Sequence, residues 1–335
     1  MQDGVYINFG VPTFKWDSEA SGKAAVHCVI IGFSYVKTEQ TVNQYLLNAP
    51  IVFIESRQNP LCYIPQIGIG NKPIDGGHYL FTEEEKEAFI KAEPSSEKWF
   101  RPWIGSHEFI NGYYRYCLWL GDCTPSDFKQ MPQAVKRIEA VRQFRLESKS
   151  PPTQKLADTP TRFHVENMPE FNYIVIPRVS SENRRYIPMG FLPPEVIASD
   201  ATLIIPNATL YHFGILTSNV HMAWVRAICG RLKSDYSYSN TIVYNNFPWA
   251  DATDAQKAEI EKLAQRVLDA RAEYPDSTLA DMYGETSMLF HTSLLNAHRE
   301  LDRAVMKLYD FPVKDFSEAD CVAALMEMYQ KLVHG

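Results

Sequence analysis

Two short stretches concentrate side chains able to read nucleic acid. The first, SSENRRYIP at residues 180–188, sets Ser180, Ser181, Glu182, Arg184 and Arg185 almost side by side. An arginine fork can take both acceptors of guanine in the major groove, asparagine can pair with adenine, and glutamate can accept from cytosine; a good bidentate contact contributes about 1–3 kcal/mol of discrimination. The same residues could instead close an Arg–Glu network at a strand end. The second stretch, GRLKSDYSYSNTIVYNNFPW at 230–249, is interrupted by only one acid, Asp235. Arg231 and Lys233 are its cations, with Tyr236, Tyr238, Asn240, Asn245 and Asn246 as further polar groups. Cations, amides and phenols together suit phosphates and base edges. An ordinary tyrosine-rich loop is the alternative.

A third candidate is the glycine-rich GIGNKPIDGG at 68–77, which offers Asn71 and Lys72. Such a loop lets backbone approach a phosphate or base closely, but it lacks the GKS or GKT of a P-loop. Asp75 followed by Glu84 and Lys86 imitates the D…ExK set of metal-dependent nucleases. Here, however, the acids open a predicted helix, where they have a capping role. NNFPW at 245–249 resembles the NPPF tetrapeptide of amino-methyltransferases, but in the wrong order to hold a target amine. The sequence contains no GxSxG, no HExxH and no glycine fingerprint for a nucleotide cofactor. His291 and His298 have no carboxylate or cysteine to complete a metal site, and His298 falls on the apolar side of its helix, as a packed core residue would. Residue patterns therefore identify no catalytic or metal-binding residue.

The elements that must position these side chains are legible from hydrophobic period. Val5–Phe9 and Ala24–Phe33 read as strands joined by a polar connection, the end of a larger sheet rather than a unit that folds alone. From Asn43 to Pro132 the pattern is irregular, with strands at Ile51–Ile54 and Tyr113–Leu120 and a helix at Thr82–Ala92 capped by Thr82 and Glu85. A helix from Pro132 to about Ser148 carries the stripe Val135, Ile138, Val141 and Phe144, with Arg142, Arg145 and Lys149 on another face. Tyr173–Val179 and Thr202–Ile205 read as strands. Phe213, Leu216, Val220, Trp224 and Ala227 mark one amphipathic helix ending at a Gly230 C-cap. Beyond Pro248, apolar stripes at Ile260–Leu268, Leu294–Leu308 and Val322–Leu332 predict three helices, with Thr253 and Gln256 capping the first and Ser317 opening the last.

The 335 residues suggest about two or three domains, and 45% apolar with 22% charged residues is ordinary for a globular chain. Six cysteines without a CxxC pair argue for a reducing, cytoplasmic setting, and the first residues lack the features of a signal peptide. The net charge is −7. From Asp251 to Gly335 there are 16 acids and 9 bases, whereas Met131 to Trp249 holds 13 bases and 9 acids. The acidity thus lies at the C-terminal end, and the mildly basic middle permits a DNA-facing surface.

Over nearly its full length the chain resembles the C-terminal part of the MmeI-like DNA methyltransferases. The matching stretches are TFKWDSEASGKAAVHCVIIGF, GNKPIDGG, RYCLWL, VSSENRRYIP, FGILTSNVHMAWVR, GRLKSDYSYSNTIVYNNFPW and LLNAHRELDRAV, all in order. The resemblance implies an α+β fold: a strand pair ending the methyltransferase core at 1–38, a mixed target-recognition domain at 39–249, and a small helical domain at 250–335. It also implies that the motifs for S-adenosylmethionine and for methyl transfer to adenine N6 lie upstream in a longer restriction–modification parent. This chain alone would then bind no cofactor and methylate nothing. The implied partners are double-stranded DNA and the upstream methyltransferase part of the same parent, where the family also places its nuclease motifs; no membrane partner is implied. Asn71, Lys72, Ser180, Ser181, Glu182, Arg184, Arg185, Arg231 and Lys233 are the candidate DNA contacts. A free-standing specificity protein and a purely structural interaction module are the rival readings.

Overall fold

A computed structural model describes residues 6–16, 26–35 and 52–334. Val5, Ala24 and Ile51, which open three of the predicted strands, lie outside the described residues. Strands β1 (Tyr6–Trp16) and β2 (Val26–Ser34) form an antiparallel pair. Next come β3 (Gly68–Ile69), β4 (Leu80–Phe81), α1 (Glu83–Ala92), β5 (Phe100–Ile104), α2 (Ser106–Asn111), β6 (Arg115–Leu118), α3 (Pro125–Lys129), α4 (Pro132–Leu146) and α5 (Pro151–Lys155). The middle of the chain adds β7 (Tyr173–Pro177), β8 (Val179–Ser180), β9 (Gly190–Leu192), β10 (Ile197–Ala198) and β11 (Thr202–Ile205). Helices α6 (Leu210–Leu216) and α7 (Asn219–Ile228) lead to the hairpin β12 (Gly230–Leu232) and β13 (Asp235–Ser237). Four helices close the chain: α8 (Asp254–Ala272), α9 (Leu279–Met282), α10 (Thr292–Leu308) and α11 (Glu318–His334). The fold is α+β, with small sheets ordered β10-β5-β6-β4, β3-β11-β7-β9 and β12-β13-β8.

The apolar run YIVIP makes a central strand because both of its faces are covered. Side chains alternate along a strand. Accordingly Ile174 and Ile176, with Leu203 and Ile205 of β11, point to the helices, while Tyr173, Val175 and Ile204 pack with Ile104, Val196 and Ala198. The helical side forms one hydrophobic core that runs from Ile67 through Trp224 and Ile260 to Tyr329. Thus the C-terminal helices α8, α10 and α11 share one core with α6 and α7. Gly214 lets α6 lie against α8: a Cβ there would meet Ile260 Cγ2 at 2.6 Å.

Local signals act largely where the sequence places them. Thr82 with Glu85 and Thr253 with Gln256 form capping boxes, and Ser317 Oγ accepts the Asp320 N–H. Three predictions need correction. The single helix through Phe213 and Trp224 is two, because Ser218 caps a new start by accepting the His221 N–H. It ends at extended Cys229, and Gly230 is the first residue of β12 rather than a left-handed cap. In addition, Val52–Ile54 forms no strand.

Candidate nucleic-acid interface

Strand pairing brings the two polar stretches together. In β13 and β8, Tyr236 pairs with Ser180 and Ser237 with Val179. In the hairpin, Arg231 pairs with Tyr236 and Leu232 with Asp235. The resulting platform consists of the three strands and their flanking loops: Arg231 lies in β12, Lys233 at the hairpin turn, and Arg184 and Arg185 in the loop that follows β8. Lys233 stands exposed at the turn with φ 57°, left-handed backbone that an L residue adopts only at some cost. Arg231 lies over the Tyr236 ring, 4.0 Å from its centroid, and donates to Ser234 O at 3.1 Å. That stacking holds its guanidinium in a defined direction.

The 180–185 loop is fastened to the same hairpin. The Glu182 N–H donates to Asp235 Oδ1 at 3.3 Å, the Arg184 N–H to Ser181 O at 3.2 Å, and Arg184 Nη1 to Ser180 Oγ at 3.4 Å. Burial pulls the Arg184 pKa down, and Asp235 opposes that shift. Ser180 itself is buried, so it braces the loop from below, whereas Ser181 and Glu182 are half-buried and Arg185 is exposed. The platform's floor consists of Tyr186, Tyr236 and Tyr238, all buried. Tyr238 OH meets His221 Nε2 at 2.9 Å, and burial drives that imidazole down to about 3, so it is neutral at physiological pH.

Asn71 and Lys72 lie on a separate loop joined to this surface through Asp200. Lys72 Nζ is 3.6 Å from Asp200, whose carbonyl accepts from Arg178 Nη1 at 3.1 Å. The Arg178 carbonyl in turn accepts from the Tyr238 N–H at 2.8 Å. Arg178 is an exposed cation next to the platform that sequence reasoning missed; its place at the end of an apolar strand was the available signal. Asn71 is buried, not outward-facing. Its amide donates to Asn167 O and Ala198 O, each at 3.0 Å, and its carbonyl accepts from Asn167 N at 2.8 Å.

Other polar residues expected at a surface are also internal. Tyr236, Tyr238, Asn245 and Asn246 are buried. Asn246 donates to Glu55 O at 2.8 Å and accepts from Arg57 Nε at 2.9 Å, while Asn245 donates to Arg57 O at 2.8 Å. These amides pin the incoming chain to the body. Arg145, assigned by its spacing to a basic face of α4, is fully buried. The nuclease-like set dissolves as expected: Asp75 accepts the Gly77 and Tyr79 N–H groups, and Lys86 pairs with Glu83. Among the described residues no group of His, Cys, Asp and Glu could hold a metal ion, and no helix is long and apolar enough to cross a membrane.

Below the platform, Tyr186 stacks on His298 with centroids 4.1 Å apart and donates its hydroxyl to Asp302 Oδ2 at 2.6 Å. His298 is thus a packed core histidine, with Nε2 at 2.7 Å from Tyr283 OH. Burial raises the Asp302 carboxyl to about 6.

Comparison with known proteins identifies the segments in which this arrangement falls. Three family models match successive segments: the MmeI DNA-methyltransferase domain at residues 1–46, the MmeI target recognition domain at 48–251 and the MmeI C-terminal domain at 252–335. DNA methyltransferase A of Bacillus subtilis (strain 168) is 37% identical over 344 aligned residues, covering 98% of this chain and 39% of the relative. The solved structure of the type IIL restriction-modification enzyme MmeI in complex with DNA matches with a TM-score of 0.89 and 42% identity, covering 98% of this chain and 46% of that one. This chain therefore spans less than half the length of either relative. The platform lies wholly within the segment matched by the target recognition model, and the chain belongs to the MmeI family.

Proposed function

We propose that this chain reads the DNA target for an S-adenosylmethionine-dependent adenine-N6 methyltransferase of a restriction–modification system. The observation that carries the reading is the pairing of β13 with β8, which sets the hairpin of Arg231 and Lys233 beside the loop that holds Arg184 and Arg185, inside the recognition segment. Arginine forks suit guanine edges and phosphates, and a lysine at a hairpin tip suits a phosphate. Ser181, Glu182, Lys72 and Arg178 extend the same surface. Asn71 and Ser180 support it from within. The DNA seen with the MmeI structure supports double-stranded DNA as the partner. In this reading residues 1–38 end the methyltransferase core, 39–249 read the target and 250–335 support the reader. The methyl donor would sit in the methyltransferase part of the parent, in a cytoplasmic setting, and the target adenine would be flipped into that part from the duplex.

Selection of random duplexes by the purified chain tests this proposal. One enriched short motif is the expected result, and Arg184→Ala with Arg185→Ala should lose the enrichment while the fold persists. Binding that stays indifferent to sequence would refute target reading by this chain.

A further inference from the structure

We infer that the C-terminal helices take part in target reading by orienting Arg185, with Asp302 of α10 as the positioning residue acting through Tyr186. This inference rests on the function proposed above.

The geometry forces a direction. A tyrosine hydroxyl has one hydrogen to give. Tyr186 gives it to Asp302 Oδ2 at 2.6 Å, so its lone pairs are left for Arg185 Nε, which donates to that hydroxyl at 3.2 Å. Asp302 cannot turn away, because its other oxygen accepts the Asn219 N–H at 2.8 Å at the start of α7. The carboxylate thereby fixes the hydroxyl, and the hydroxyl fixes one edge of the exposed guanidinium. The backbone of the same residue is held too: Arg226 Nη2 donates to Arg185 O, and Arg226 Nη1 to Glu318 Oε2 of α11, each at 2.8 Å.

The next turn of chain is gripped from the same side. Arg271 of α8 donates Nη1 to Met189 O at 2.6 Å and two further N–H groups to Tyr283 OH, which meets His298 under the Tyr186 ring. An apolar pair could fill the space of Tyr186 and Asp302 without burying a carboxylate. It would leave Arg185 free to swing. The polar arrangement therefore contributes orientation rather than cohesion, and five of its members (Arg271, Tyr283, His298, Asp302 and Glu318) lie in the segment matched by the C-terminal domain model.

The test compares the full 335-residue chain with Tyr186→Phe, Asp302→Asn and the double variant, with thermal melts confirming folding. Affinity is measured for the selected duplex and for a scrambled duplex of equal length. Each single variant should lower the ratio of the two affinities by about tenfold, the loss of one orienting hydrogen bond. The double variant should be no worse than either single variant, with scrambled-duplex affinity unchanged. An unchanged ratio, or equal losses on both duplexes, would overturn the inference. If Arg184→Ala with Arg185→Ala abolishes the preference while Tyr186→Phe leaves it intact, only the positioning role falls. If the wild-type chain enriches no sequence, the proposed function falls and the Arg185 Nε–H resonance decides the positioning. A protected signal lost in Tyr186→Phe supports the role, and an unprotected signal in the wild type overturns it.

Discussion

Arg145 offers a sharp test because its spacing and its structure assign it opposite roles. By period it belongs to a solvated basic face, where lysine would serve equally well. In the structure its guanidinium is buried and uses every N–H on a backbone carbonyl. Nε donates to Ile74 O at 2.9 Å, Nη1 to Leu156 O at 2.7 Å and Thr159 O at 3.0 Å, and Nη2 to Pro73 O at 2.9 Å and Arg162 O at 2.8 Å. One side chain thus ties the glycine-rich loop to the 156–162 segment. Burial lowers its pKa, with Tyr79 and Asp75 opposing. In Arg145→Lys the charge remains, but a single nitrogen has three donors, so at least two carbonyls lose theirs. At about 1–2 kcal/mol per buried unpaired group the loss is about 2–4 kcal/mol. For a chain of this size that lowers the melting temperature by roughly 3–6 °C. Arg145→Met, which removes all five donors, should fall further. Urea denaturation and thermal melts measure both variants. A lysine variant within about 0.5 kcal/mol of the parent, the range of an ordinary surface change, would refute the buried-hub account.

Asp302 gives stability a pH dependence. Its carboxyl is raised from 3.8 to about 6 chiefly by burial, against the lowering influence of the Tyr186 hydroxyl, the Asn219 N–H and the Arg185 and Arg226 guanidiniums. The folded state therefore holds a proton between about pH 4 and 6 that the unfolded state releases. This contribution is present below pH 4, is lost as pH rises to about 6, amounts to about 3 kcal/mol and is flat above. Urea denaturation across that range should show the Asp302→Asn variant lacking this downward component; parallel profiles would contradict it. Gly214→Ala should cost about 1–3 kcal/mol, because the added methyl meets Ile260 and forces α6 off α8, and chemical denaturation would register no change if the helices simply shift without strain. Lys233→Gly should leave stability equal or raise it by up to about 1 kcal/mol, since glycine adopts φ 57° freely. The same variant should reduce the salt slope of DNA binding by about one, and an unchanged slope would remove Lys233 from the phosphate contacts.

What was legible in the sequence was local. Thr82, Thr253 and Ser317 announce their helices because a cap and its partner lie within one turn. YIVIP announces a doubly covered strand. The break at Ser218 was hidden because the apolar period runs unbroken from Phe213 to Trp224 while the cap sits between. Of the stripe read in α4, Val141 is buried and Ile138 packs partly against the core, but Val135 and Phe144 are exposed, and Ala134 and Arg145 complete the buried face. Spacing alone does not separate a buried arginine from a solvated one; only the carbonyls brought by distant segments do. The candidate residues Arg184, Arg185, Arg231 and Lys233 were legible by type. That the loop after β8 and the β12–β13 hairpin lie side by side was not, because β8 and β13 pair across the whole of β9–β11 and α6–α7. Asn245 and Asn246 were misread for the same reason: their partners Glu55 and Arg57 are far back along the chain.

The hydrophobic core that crosses residue 250 limits how relatives could be recombined. A chimera joined there would separate Trp224 from Tyr329, Gly214 from Ile260 and Tyr186 from Asp302 in one cut. Each half would then have to match a foreign surface that its own sequence was never fitted to. Transplanting only the outward side chains of β8, β12 and β13 leaves all three contacts in place. In such grafts the unit of exchange is a handful of side chains on an unchanged scaffold, and new binding preferences can be sought without reopening the folding problem.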